Sequence, residues 1–248
     1  MSWSAAVSLH NVASDTAYSL RNLRCPRVTV ANHQLSCISD GLVEVDLVID
    51  RSEIKSVEPA GSGVVLTTDI DMAHAMVWPC MVDCHTHLDK GQVWSRSPNA
   101  DGNFDGASQA AYRESMRPAF TTDVYKRVEF SLRTAYAHGT CAIRSHVDGN
   151  PNNFSQVFDQ LTELSNTWAD RITLQLCPFS DISDSIEWLS YLATCAAKQP
   201  YGVFSSFVYP TPCLDAQLDT VVQLADSKGL ALDFHADENL NPESHCLR

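Results

Sequence analysis

The sequence predicts an α/β protein: a partial TIM-type (β/α)₈ barrel of about five βα units, preceded by a small β-rich domain. Three observations carry this. Apolar segments of strand length alternate with segments of helical period from Trp78 onward. Polar residues suited to chemistry gather at the C-terminal ends of those strands, where a barrel displays its functional groups. No glycine-rich turn follows the first strand, as the doubly wound alternative would require for a phosphate. The domains are read as 1–77, β-rich, and 78–248, the first half of a barrel.

In the first domain, Cys25 to Ala31, Leu42 to Ile49 and Glu53 to Val57 read as strands, with turns at 39–41 and 60–63. The barrel opens with the short run Cys80 to His87, then a loop holding Pro98, Gly102 and Gly106. A helix is expected over Thr122 to Ala137, with Thr121 or Thr122 as N-cap and Gly139 as C-cap. Strands at Cys141 to Val147, Ile172 to Phe179, Gly202 to Tyr209 and Leu230 to His235 follow. The helices Asn153 to Ala169, Ile182 to Lys198 and Leu214 to Lys228 separate them.

Composition narrows the function classes. A net charge of −13 with no basic run excludes a nucleic-acid surface as the expected role. No apolar stretch is long enough for a membrane span, and no secretory signal opens the chain, so a cytoplasmic protein is expected. The nine cysteines lack any C-x-x-C pair and read as reduced, small apolar residues.

Two constellations carry chemistry. In His85-Thr86-His87, residues two apart on a strand face the same way, so both imidazoles reach one ion. His235, closing the fifth strand, supplies a third nitrogen. Glu238, just past that strand end, is placed to move protons between an activated water and a substrate. Asp237 beside it is a candidate for holding the site in shape or touching substrate.

Together these residues resemble the cytosine-deaminase branch of the amidohydrolase superfamily. Pro79 to Asp89 is similar to that family's P-x-x-V-x-x-H-x-H-L-D opening strand. Arg144-Ser145-His146-Val147-Asp148 matches R-x-H-V-D, and Asp233 to Glu238 matches D-x-H-x-D-E. The resemblance spans about residues 20–240. It implies one divalent metal ion, Zn²⁺ or Fe²⁺, held partly by His85, His87 and His235, hydrolytic deamination of a cytosine-like heterocycle or cyclic amidine by a metal-activated water, and Glu238 as proton shuttle. Ring-opening hydrolysis of a cyclic amide is the alternative, but the fourth strand lacks the lysine that bridges two metals in such relatives. The H-x-E and P-C-x-x-C pair of the other zinc deaminases is absent too.

The substrate side is expected to use Asp181, Gln175, His146 and Asp237. Asp181 falls where the family places a glutamine, and an acid there favours a substrate that donates hydrogen bonds. The family's sixth-strand histidine and eighth-strand aspartate would lie beyond Arg248. Five units at about 35 residues each also fall short of the roughly 250 of a complete barrel. The chain is therefore expected to be truncated: inactive by itself, a remnant or split subunit that binds metal weakly and forms homo-oligomers through its open sheet edge.

Overall fold

The computed structural model describes residues 16–246, apart from 32–34, 52, 67, 100, 149 and 240. The chain divides into two compact units between Pro79 and Cys80.

In the first unit a sheet has the order β3-β2-β1-β4, built from β1 (Tyr18–Pro26), β2 (Leu42–Asp50), β3 (Glu53–Pro59) and β4 (Asp69–Asp71). Strands β1, β2 and β3 pair antiparallel, and β4 joins β1 in parallel. Leu23, Cys25, Val43, Val45 and Leu47 form its core from alternate positions. The strand expected over Cys25 to Ala31 instead ends at Pro26 and turns into a 3-10 helix, Arg27–Thr29. Pro26 has no N–H for the ladder, and its carbonyl accepts from Thr29 Oγ1 at 2.8 Å, which closes the turn.

The second unit is a curled, all-parallel sheet in sequence order, β5 (Met81–Thr86), β6 (Thr140–Asp148), β7 (Thr173–Asp181), β8 (Val203–Val208) and β9 (Ala231–Ala236). The helices α2 (Pro118–Ala137), α3 (Phe154–Trp168), α4 (Ile186–Ala197) and α5 (Leu214–Lys228) form the crossovers. Their apolar stripes meet the outward face of the sheet. Val128, Leu132, Leu161, Leu164, Leu192 and Val221 are all fully buried there. Gly229 takes φ +65 and stops α5, as a C-terminal glycine does.

Two helix starts depart from the sequence reading by four residues, and one helix was not expected. α4 begins at Ile186 and not Ile182, and Ser185 caps it by accepting from Trp188 N. α2 starts four residues earlier than expected, because Pro118 occupies its first turn, where a missing N–H costs nothing. The loop after β5 contains an unexpected helix, α1 (Phe104–Ser115). Asn103 caps it by accepting from Gly106 N at 2.8 Å. A Cβ on Gly106 would stand 2.7 Å from Asn99 Oδ1 and 3.1 Å from Asp101 Cβ, so a larger residue here would displace the Asn99 side chain.

The curl can be measured. His85 on β5 and His235 on β9 belong to opposite edges of the sheet, which lie about 19 Å apart in a flat sheet of this order. Their ring centroids are 4.4 Å apart. The inner side chains therefore converge on the sheet's concave axis at the C-terminal strand ends.

Candidate metal centre

Four imidazoles meet at that axis. His85 lies in β5, His87 just past its end, His146 in β6 and His235 in β9. One ring nitrogen from each falls within 4.8 Å of all the others. His87 Nε2 and His235 Nε2 are 3.2 Å apart. The turn that presents His87 is tied to the next strand by Leu88 N, which donates to Ser145 Oγ at 3.0 Å. The sequence reading grouped His85, His87 and His235 as ligands and gave His146 to the substrate. The fold places His146 in the same cluster, fully buried. Its signal was available: like His87, it closes a strand on the inward face.

The donor set suits a divalent metal ion. All four atoms are imidazole nitrogens, which zinc and iron both accept. His87 Nδ1 and His235 Nδ1 are buried without a hydrogen-bond partner, a costly arrangement for polar atoms unless something binds them. Burial, then the positive Lys90, holds His87 down at about 2, and burial holds His235 at about 4. Burial also lowers His146. These rings keep their lone pairs at neutral pH. In a metal-free protein the unfolded chain protonates first as pH falls below about 6.5, so the histidines withdraw stability going down from that pH. Imidazole NMR of the metal-free protein is expected to show His87 and His235 silent between about pH 7 and pH 5. Normal titration of either in that range would remove this account of the cluster.

A cavity of about 460 Å³ opens onto the cluster, lined by His87, Lys90, Phe179, Asp181, His235 and Glu238 among others. Lys90 Nζ pairs with Asp148 Oδ1 at 2.8 Å and sits 5.7 Å from the Phe179 ring centroid. Burial pulls Lys90 down, but Asp148 and Asp89 more than offset it, so the ammonium persists. Asp89 is buried beneath, its carboxyl pushed up by burial and then by Asp148. One of its oxygens accepts from Asp148 N at 3.2 Å. Arg127 anchors this turn from α2 by donating to the carbonyls of Asp89 and Gly91, at 2.8 and 2.7 Å. Lys90 and Asp148 were not among the residues singled out from sequence, although Asp148 stands inside a quoted motif and Lys90 directly follows another.

The other expected residues separate. Asp181 ends β7 on the cavity wall and accepts from Tyr209 Oη at 2.8 Å and Ser183 N at 2.8 Å. Gln175 does not reach this cavity. It stands six residues earlier on the same face, about 20 Å of strand away, and accepts from Arg144 Nε at 2.5 Å while donating to the Tyr201 carbonyl at 3.2 Å. Asp237 takes φ 56 and turns its carboxylate to the segment that follows, accepting from Ser244 Oγ at 2.7 Å and Cys246 N at 3.0 Å. Glu238 is exposed on the cavity rim. All nine cysteines are free, and none joins the cluster. No helix among the described residues is long and apolar enough to cross a membrane.

No family model matches the chain. A pterin deaminase of Rhizobium rhizogenes is 37% identical over 234 residues, covering 93% of this chain and 53% of the relative. Among solved structures, the 5-methylcytosine deaminase of Klebsiella pneumoniae matches with a TM-score of 0.71 at 19% identity, over 92% of this chain and 53% of its own. The N-isopropylammelide isopropylaminohydrolase of Burkholderia multivorans matches with a TM-score of 0.64 at 23% identity, over 90% and 53%. These likenesses show the fold, and the chain spans about half the length of the relatives it matches.

Proposed function

We propose, for an amidohydrolase-superfamily chain with a deaminase-like sequence, that these residues serve the hydrolytic deamination of a heterocyclic amidine. The reaction breaks the C–NH₂ bond of the ring, forms a ring carbonyl from the oxygen of water, and releases ammonia. The observation that carries this is the ring of four imidazoles beneath a cavity bearing carboxylates at its rim.

His85, His87 and His235 would hold a Zn²⁺ or Fe²⁺ ion, with His146 as a fourth nitrogen beside them. When bound, such an ion activates water for attack at neutral pH and polarises the carbon being attacked. Glu238 takes a proton from the attacking water and hands it to the departing amino group. Phe179 and Phe207 offer flat apolar walls to a ring. Asp181 accepts from the ring's N–H donors, and Lys90 donates to a ring oxygen or bare nitrogen. The likeness to a pterin deaminase supports a fused, pterin-like ring over cytosine, as does an acid in place of an amide at Asp181.

The test is ammonia release by the native gene product on a panel of pterin-like, guanine-like and cytosine-like compounds, with the products identified. A ring-opened product without ammonia would sink the deaminase reading. Within that panel, Asp181→Gln is expected to shift kcat/KM towards cytosine-like rings by about tenfold or more, since an amide both donates and accepts. An unchanged substrate profile would remove Asp181 from recognition.

A further inference from the structure

One layer beneath the imidazoles lies an ion pair that the reaction does not use. Arg144 precedes His146 by two on β6, and Asp233 precedes His235 by two on β9, so each shares its histidine's face. Arg144 Nη1 donates to Asp233 Oδ2 at 2.6 Å, although β7 and β8 stand between their strands in the sheet. A flat sheet would hold β6 and β9 about 14 Å apart, further than the two side chains span together. The bond is a chord across the curl. Arg144 is braced at its other end, with Nε donating to Gln175 Oε1 on β7. Asp233 Oδ2 also lies 3.5 Å from His146 Nε2.

We propose that the Arg144–Asp233 pair is a strut that sets the spacing of β6 and β9 and turns the His146 ring, and so governs metal affinity without touching the metal. A carboxylate against one nitrogen of a histidine places the proton on that nitrogen and leaves the other for the cluster. Here Asp233 selects the His146 tautomer with the proton on Nε2. Arginine is required because the strut needs two donors in a fixed fork, Nε towards Gln175 and Nη1 towards Asp233. A lysine offers one point of attachment. Both residues are positioning residues.

The proposal rests on the metal-centre reading above, and two measurements on the native gene product separate them. Co²⁺ titration should show Asp233→Ala and Arg144→Met binding about 10- to 100-fold more weakly, with an altered visible spectrum. Arg144→Lys should fall between, and the near-isosteric Asp233→Asn should recover part of the loss. The double variant Arg144→Met/Asp233→Ala should lose much less than the sum of the single losses. Long-range ¹⁵N NMR of the metal-free protein should find the His146 proton on Nε2, with the tautomers mixing in Asp233→Ala. A His146 tautomer indifferent to Asp233 overturns the strut whatever the metal does. Unchanged Co²⁺ affinity and spectrum in both single variants overturn it as well. A strut-dependent tautomer in a protein that binds no Co²⁺ would instead overturn the metal-centre reading, and with it the claim on affinity.

Discussion

Changing His235 to alanine is expected to strip the native gene product of its metal and to end ammonia release. His235 is buried, and its Nε2 lies 3.2 Å from that of His87, so it contributes at the centre of the cluster. Loss of a direct ligand should exceed the roughly 100-fold that loss of a supporting partner costs. The fold itself should tolerate the change. His235 Nδ1 has no hydrogen-bond partner to lose, and alanine relieves the burial of a polar ring. The melting temperature of the metal-free variant should therefore stay near that of the unsubstituted protein, while the stabilisation conferred by added metal disappears. Elemental analysis and thermal unfolding, with and without metal, read the two effects apart. A variant that keeps one equivalent of metal at unchanged affinity would mean that His235 is not a ligand.

Glu238→Gln should spare the metal and cost turnover. Glu238 lies outside the nitrogen cluster, so metal content should be unaltered. Glutamine keeps the shape of the side chain and cannot take or give a proton at this position. General acid–base catalysis typically contributes about 10²- to 10⁴-fold, so kcat should fall by at least about 10²-fold, or close to 3 kcal/mol of barrier. KM should move far less, because the lost interaction acts in the transition state. Steady-state kinetics on the preferred heterocycle decide the matter. An unchanged kcat would take Glu238 out of the proton path.

Much of this could be read from the chain because strands keep a strict period of two. That period puts His85 and His87 on one face, and Arg144 and Asp233 under their histidines, without any knowledge of the turn chemistry between them. The five strands of the barrel unit were legible for the same reason, with ends misplaced by a residue or two. Helix α1 was not. Gly102 and Gly106 carry the local signals of a loop, while in the structure Gly106 sits inside the helix where the Asn99 side chain approaches it closely. Cys25 to Ala31 misled in the other direction, since its β-branched residues outweighed Pro26. At the site, position along a strand mattered as much as face. Gln175 and Asp181 share a face, yet only Asp181 reaches the end where the histidines gather. The place of Lys90 depends on a buried Asp89 and on Arg127 from a helix about forty residues on, a long-range arrangement that spacing alone does not encode.

The central claim is that imidazoles, and not the chain's nine cysteines, hold a single divalent ion here. X-ray absorption at the metal edge of the purified native gene product tests it most directly, because nitrogen and sulfur scatterers differ in both distance and strength. The account predicts one metal per chain, with a first shell of light atoms near about 2.1 Å and the outer scattering that imidazole rings produce. A shell near about 2.3 Å, the distance of a thiolate sulfur, would contradict it. So would a fully active enzyme with no metal at all.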